Sequence, residues 1–279
     1  MHHWFVYPTN ISPIAFHLGP IAVHWYGIAY LLGFVAVYLW MSRPAGRTRL
    51  GLTSDQIQDF MFYALIGVLV GGRTLFVIAD ILTRMQHHND PGIYFAHPIN
   101  LIAVWNGGMA FHGGLIGVVI GVFLFLRKHP ALTFTVLGDE IVMLLPLGIG
   151  ITRIVNFIND ELWGRVCDPS NPICMIFPAD PSGQYRFPSQ LFESAMDLAT
   201  LPILFLIYRM KPRDGVVAWS WVTVYGITRT IAEVFRAPGL WFMGLHDGQL
   251  LAVPQIVIGL IGLWYCLRHG SHTDATPAS

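Results

Sequence analysis

The run VMLLPLGIGI at 142–151 is almost wholly apolar, yet it leads into RIVNFINDELWGR at 153–165, where an arginine and an Asn-x-x-Asn-Asp-Glu cluster appear. Apolar runs of this kind recur along the whole chain, at about 20–41, 57–79, 110–126, 136–158, 189–208, 216–235 and 248–267. A helix of about 20 apolar residues crosses the roughly 30 Å hydrocarbon layer. Seven such runs restrict the chain to an all-α, polytopic membrane protein, because lipid leaves no water to satisfy an open backbone. Composition agrees: 54% of the residues are hydrophobic and 11% charged, where a soluble domain carries about 25% charged residues. Pro146 and Pro202 fall inside spans and are expected to kink them rather than break them.

The organisation expected is one integral membrane domain over 1–279, with a loop insertion at 159–188 and a tail at 268–279. The N-terminal MHHWFVYPTNISP has no Lys or Arg and no small-residue cleavage site, so the first run is expected to stay as a span. Loops 42–56, 127–135, 209–215 and the tail hold nine basic residues, Arg43 to Arg268; the opposite side holds four, Arg84, Arg165, Arg186 and Arg236. By the positive-inside rule the N-terminus faces out, the C-terminus faces the cytoplasm, and 159–188 is periplasmic. Cys167 and Cys174 share that loop and can pair if it faces an oxidising compartment. Zero net charge argues against a nucleic-acid partner. The three cysteines make no metal spacing and there is no HExxH, P-loop or GxGxxG, so neither metal nor cofactor is expected.

Three arginines lie inside spans: Arg73, Arg153 and Arg229. Each costs about 2.5–3.5 kcal/mol to insert at a helix centre, so each needs a reason. All three sit about six residues before the outer end of their span, roughly 10 Å below the surface at 1.5 Å per residue. Tyr26 and His112 lie at similar depth. Five polar side chains from five spans therefore point to one outer-leaflet pocket. A guanidinium fork there suits a phosphate, and the ligand that needs least explanation is a phospholipid headgroup. Tyr225, Arg229 and Glu233 follow at four-residue steps on one face, so Glu233 can neutralise Arg229. Arg153, Asn156, Asp160, Glu161 and Gly164 read as a helical stripe continuing past the bilayer edge, with Asn159 elsewhere. Four glycines flank His112 in WNGGMAFHGGLIG, and its imidazole is the candidate general base. His2, His3, His87, His88 and His97 read as solvated loop residues.

These motifs resemble those of the bacterial prolipoprotein diacylglyceryl transferases, over about Ile14 to Leu267. The stretches that carry the resemblance are GPIAVHWYGIAYLLGF, VGGR, VWNGGMAFHGGLIG, RIVNFINDELWGR, PSQLFE, YGITRTIAEVFR and GQLLAVP. The resemblance implies a seven-span inner-membrane enzyme that moves the diacylglyceryl group of phosphatidylglycerol to the lipobox cysteine thiol of a prolipoprotein signal peptide. The products are a thioether and glycerol phosphate. By position, it implies Arg153 on the lipid phosphate with Arg229 flanking the site. Tyr26, His112, Asn156 and Gly164 stand where the family has its functional tyrosine, histidine, asparagine and glycine, and Glu161 and Glu233 where it has acidic helpers. The chain departs from the pattern at Val155 and Leu75, where the family usually has glycine, and at Phe187, where it usually has histidine.

The mechanism expected gives the thiol proton to His112, directly or through water, with a carboxylate or Tyr26 as the alternative acceptor, and the leaving-group charge to Arg153 and Arg229. Tyr26, Asn156, Glu161, Gly164 and Arg73 contact the lipid, and Glu233 holds Arg229. A transporter would instead place its polar residues at the midplane of two related halves, and a scaffold would have no use for buried arginines.

Overall fold

The structure is a computed structural model that describes residues 6–8, 11–19, 21–86, 93–104, 107–237, 241–242 and 245–272. His2, His3, His87, His88, Trp105, Asn106 and most of the 268–279 tail lie outside the described residues. Helices occupy all seven expected positions: α1 (Trp25–Ser42), α3 (Ser54–Gln86), α5 (Phe111–Lys128), α6 with α7 (Phe134–Val142 and Leu145–Ile158), α8 (Ser189–Arg209), α9 (Val216–Ala232) and α10 (Asp247–His269). Short helices α2 (Pro44–Leu50) and α4 (Ile93–Ala96) fall in connections. Among the described residues a 3-10 turn (Pro98–Leu101) and three two-stranded sheets accompany the helices: β1 with β2 (Ile14–Leu18, Ile21–His24), β3 with β4 (Met175–Ile176, Tyr185–Arg186), and β5 with β6 (Trp241–Phe242, Leu245–His246). All three are antiparallel.

The protein is a multi-pass helical membrane protein. Among the described residues, α1, α3, α8 and Ala252–His269 are each long and apolar enough to cross a membrane, and the bent α6–α7 pair makes a fifth if it is one span. Helix α9, at 17 residues, falls short of the 18-residue length of the shortest of these.

Three sequence expectations need correcting. The fourth span breaks where a kink was expected: α6 stops at Val142, and α7 begins at Leu145, bent by 44°. Pro146 stands in the first turn of α7, where its missing N–H costs nothing; inside a helix its ring would clash with a carbonyl. The first span starts at Trp25 rather than 20, because Ile21–His24 pairs as β2. The second runs to Gln86, and Arg84, read as a loop residue, lies on it and pairs with Asp80 at 2.7 Å.

Contacts group the chain into two compact units, 1–49 with 135–279, and 50–134. In the first, α1 packs on α7, α7 on α8, α8 on α9 and α9 on α10. One end of this unit is pinned by buried acids. Arg49 reaches Asp139 at 2.7 Å and Asp214 at 3.3 Å, and Arg43 reaches Glu140 at 3.1 Å. Asp139 also accepts backbone N–H bonds from Gly215 and Ala218 at the start of α9.

The second unit is built on α3 against α5, where Gly67 and Gly71 meet Gly113 and Gly117 backbone to backbone. Leu75 packs against Gly113 in this seam, so the residue that departs from the family pattern fills space between the two helices. A Cβ at Gly117 would lie 1.8 Å from the Gly67 carbonyl oxygen. Gly117→Val should therefore destabilise the protein by about 1–3 kcal/mol or more, as overpacked cores do. Thermal unfolding in detergent would show this as a lower midpoint, and an unchanged midpoint would mean that the seam tolerates separation.

Candidate functional site

Asn156 and Glu161 were read as points on one helical stripe, but α7 ends at Ile158. Asp160 takes a left-handed backbone (φ 56°), and the chain reverses there. The Glu161 N–H bonds the Asn156 carbonyl at 3.1 Å and the Asp160 N–H bonds the Phe157 carbonyl at 3.1 Å. This is a Schellman ending, with Asp160 in the place glycine usually takes. The stripe is thus corrected to a turn. It sends the Asp160 carboxylate outward to the Trp163 indole (2.8 Å) and the Ala179 N–H (2.6 Å). It also folds Glu161 back over the helix end.

The returning Glu161 carboxylate meets three partners, one of them Asn159, which donates to it at 3.5 Å. It also accepts from the Tyr26 hydroxyl, at the start of α1, and from the Asn156 amide at 3.0 Å. The same amide donates to the Tyr26 oxygen. Asn156 offers its own carbonyl oxygen to Arg153 at 3.4 Å. The loop backbone is clamped by the first turn of α8, since Gln190 donates to the Glu161 carbonyl (2.6 Å) and Ser189 to that of Leu162 (3.1 Å). Gly164 lies where a Cβ would come within 2.4 Å of the Phe235 carbonyl oxygen and 2.5 Å of that of Phe187. Only glycine lets these three strands of chain meet. Phe187, where the family usually has histidine, packs tilted against Phe192 and edge-on against Phe235, at 6.3 and 5.6 Å between centroids. Val155 is buried on α7.

Arg153 on α7 and Arg229 on α9 are brought together by a residue the sequence reading did not single out. Glu193, one turn into α8 and 5% exposed, places Oε2 at 3.0 Å from Arg153 Nε and 3.6 Å from Arg229 Nη1. Its other oxygen accepts from Arg236 at 2.7 Å. Glu233, at the C-cap of α9, stands 3.3 Å from Arg229 and 3.6 Å from Arg236. Tyr225 lies beside Arg153. A narrow cleft here is lined by Glu193, Asp197, Tyr225, Thr228 and Arg229. One signal for Glu193 was legible: two acids, Glu193 and Asp197, stand one helical turn apart in an apolar span.

Arg73 and His112 belong to the second unit. Arg73 is 7% exposed, and its guanidinium donates to the carbonyls of Leu101 (3.3 Å), Gly107 (2.6 Å), Gly108 (2.9 Å) and Asn100. It thereby ties the segment before α5 to α3. His112 is the second residue of α5, with an exposed side chain. The site as described gathers Tyr26, Arg153, Asn156, Glu161, Gly164, Arg229 and Glu233 in the first unit. No cluster of metal-binding side chains occurs among the described residues.

The loop over the site has its own brace. Cys167 and Cys174 are joined by a disulfide. Tyr7 bonds the Ile158 carbonyl at 3.1 Å and packs with Met175 and Phe177. Arg186 links Asp180 (2.5 Å) to the Gly164 carbonyl (3.2 Å). The Arg186 guanidinium, helped by Ser182, holds the Asp180 carboxyl at about 2. A free aspartate titrates near 3.9. Because the folded value is the lower one, this brace is fully present above about pH 4 and is lost as pH falls toward 2. Limited proteolysis of 165–187 should therefore stay slow from pH 7 to about 4 and quicken below it. In Asp180→Asn it should be fast throughout, and equal protection of both proteins at pH 7 would contradict this.

Comparison with known proteins covers nearly all of the chain. The sequence model of the prolipoprotein diacylglyceryl transferase family matches residues 13–265. The phosphatidylglycerol–prolipoprotein diacylglyceryl transferase of Legionella pneumophila (strain Lens) is 42% identical over 268 residues, covering 94% of this chain and 99% of the relative. Proteins of the same name from Methylibium petroleiphilum and Aeromonas hydrophila are 40% and 38% identical, covering 91% and 93% of this chain and 96% and 92% of their own lengths.

Proposed function

The chain belongs to the prolipoprotein diacylglyceryl transferase family, and from that premise we propose that it transfers the diacylglyceryl group of phosphatidylglycerol to prolipoproteins, the first step of lipoprotein maturation. The acceptor is the thiol of a lipobox cysteine, placed just outside a signal helix. The enzyme sits in the inner membrane with its N-terminus and the 159–188 loop in the periplasm and its C-terminus in the cytoplasm. The excess of basic residues on the other loops and the Cys167–Cys174 disulfide support that orientation. The observation that carries the reading is that Arg153 and Arg229, from two helices of a membrane protein, converge on one carboxylate oxygen. Two guanidinium groups so held form a ready grip for a phosphodiester.

In the reaction the cysteine sulfur attacks the glyceryl carbon. The carbon–oxygen bond to phosphate breaks, and glycerol phosphate leaves with the electron pair. Arg153 and Arg229 stabilise the charge that gathers on the departing phosphate. Tyr26, Asn156 and Glu161 form one hydrogen-bonded unit beside Arg153 and position the headgroup. Gly164 lets the loop close over them, and Glu233 holds Arg229. A free thiol has a pKa of about 8.5, so a base is needed at neutral pH. His112 fills that role, and the proton passes on to the released phosphate. Arg73, with its donors on backbone carbonyls, acts by holding the segment that precedes His112 rather than by gripping lipid.

The test combines purified protein in detergent, a lipobox peptide and phosphatidylglycerol, with mass spectrometry of the peptide. The expected result is one diacylglyceryl group on the cysteine. Arg153→Ala should lower the rate by about 100-fold or more, the scale on which a lost charge-stabilising donor acts. Arg153→Lys should fall between the two, because lysine keeps the charge and loses the fork. Full activity in Arg153→Ala, or no transfer by folded native protein, would overturn the reading.

A further inference from the structure

The assignment of Arg153 and Arg229 to the lipid phosphate leaves Glu193 in an odd position. A carboxylate already stands between the two guanidinium groups. Its Oε2 is 3.0 Å from Arg153 Nε and 3.6 Å from Arg229 Nη1. The longer contact is beyond hydrogen-bonding reach, and Arg229 Nη1 is buried with no hydrogen-bond partner among the described residues. Oε1 faces the other way and is held at 2.7 Å by Arg236. Arg236 in turn is anchored by its backbone, which bridges to Gly164 and accepts from Arg165 at 3.3 Å.

We propose that Glu193 is an internal stand-in for the substrate phosphate: Oε2 occupies the place of a phosphate oxygen in the empty site, and Arg236 retains the carboxylate when the phosphate displaces it. This rests on the phosphate-binding role of Arg153 and Arg229. Glu233 answers Arg229 from its own helix, but without Glu193 no anion would stand between the two arginines, and a counter-ion there keeps them at binding distance before lipid arrives. That counter-ion must yield to a phosphate without leaving a bare charge in the membrane. Its two oxygens divide the work. The oxygen on the arginine pair is loosely held on the Arg229 side, and the oxygen on Arg236 is a pivot. The same device serves product release: as glycerol phosphate departs, the carboxylate swings back and competes for the arginines. Glu193 is thus a positioning residue that sets affinity for the phosphate.

Three variants test this: Glu193→Gln, Arg236→Gln and the double variant. The readouts are KM and kcat for phosphatidylglycerol, and binding of glycerol phosphate to detergent-solubilised protein. Glu193→Gln removes the competing charge and keeps the shape. It should bind glycerol phosphate about fivefold to tenfold more tightly, a usual size for coupled binding. Its KM should fall, and its kcat should fall with slower product release. Arg236→Gln takes the arginine from Oε1, so a displaced carboxylate has no cation to retain it. Its KM should rise by a similar factor with kcat little changed, and adding Glu193→Gln should cancel that rise. Weaker glycerol phosphate binding by Glu193→Gln, or a double variant with the two defects simply added, would overturn the proposal. If Glu193→Gln does not fold, Arg236→Gln alone decides: a lower kcat with unchanged KM contradicts it. If the native protein neither transfers lipid nor binds glycerol phosphate, the underlying reading of the site falls as well. Native activity with the wrong response in the variants sinks the stand-in alone.

Discussion

A guanidinium in hydrocarbon costs several kcal/mol, so each arginine inside this bundle has to meet carboxylates or carbonyls on neighbouring segments. Helices α7, α8 and α9 are joined in this way: Arg153 and Arg229 come from two of them, and Glu193 comes from the third. At the other end of the same unit Arg43 and Arg49 meet Asp139, Glu140 and Asp214. The apolar faces of these helices meet lipid without directional contacts. The charged contacts are directional, and with close approaches such as Gly33 on Gly148 they set which helices are neighbours and in what register. In the second unit Arg73 meets its need with carbonyls instead.

The same compensation supplies the chemistry of the site. Charges that must be neutralised where the helices end leave a cluster of cations around the buried acids Glu193 and Glu233. In that setting a fixed donor acts far more strongly than it would in water. The turn after α7 adds the polar half. Its left-handed residue, Asp160, returns Glu161 to Asn156 and Tyr26, so a hydrogen-bonded polar group sits beside the arginine pair. An amphiphile with a phosphodiester between an apolar body and a polar head matches that sequence of environments.

Much of this was legible from residue types alone. Arg153 and Arg229 stand out because each is the one basic residue in its apolar run, and Glu233 follows from four-residue spacing. The helical positions follow from apolar length. Glu193 was not legible in its role, because its three arginine contacts come from segments far apart in the chain, although its pairing with Asp197 in an apolar span was a signal. The reversal at Asp160 hides because a helical stripe and a Schellman turn share the same letters until one residue takes a positive φ. Pro146 reads equally as a kink or as a restart, and only the packing of α6 and α7 decides. The carbonyls that hold Arg73 leave no mark in the side-chain sequence.

The most direct test of the central claim is a structure of the protein in lipid with phosphatidylglycerol bound, at a resolution that places phosphorus. The account predicts the phosphate within hydrogen-bonding distance of both Arg153 and Arg229, and Glu193 turned to Arg236. A headgroup bound elsewhere, with Glu193 still between the two arginines, would contradict it.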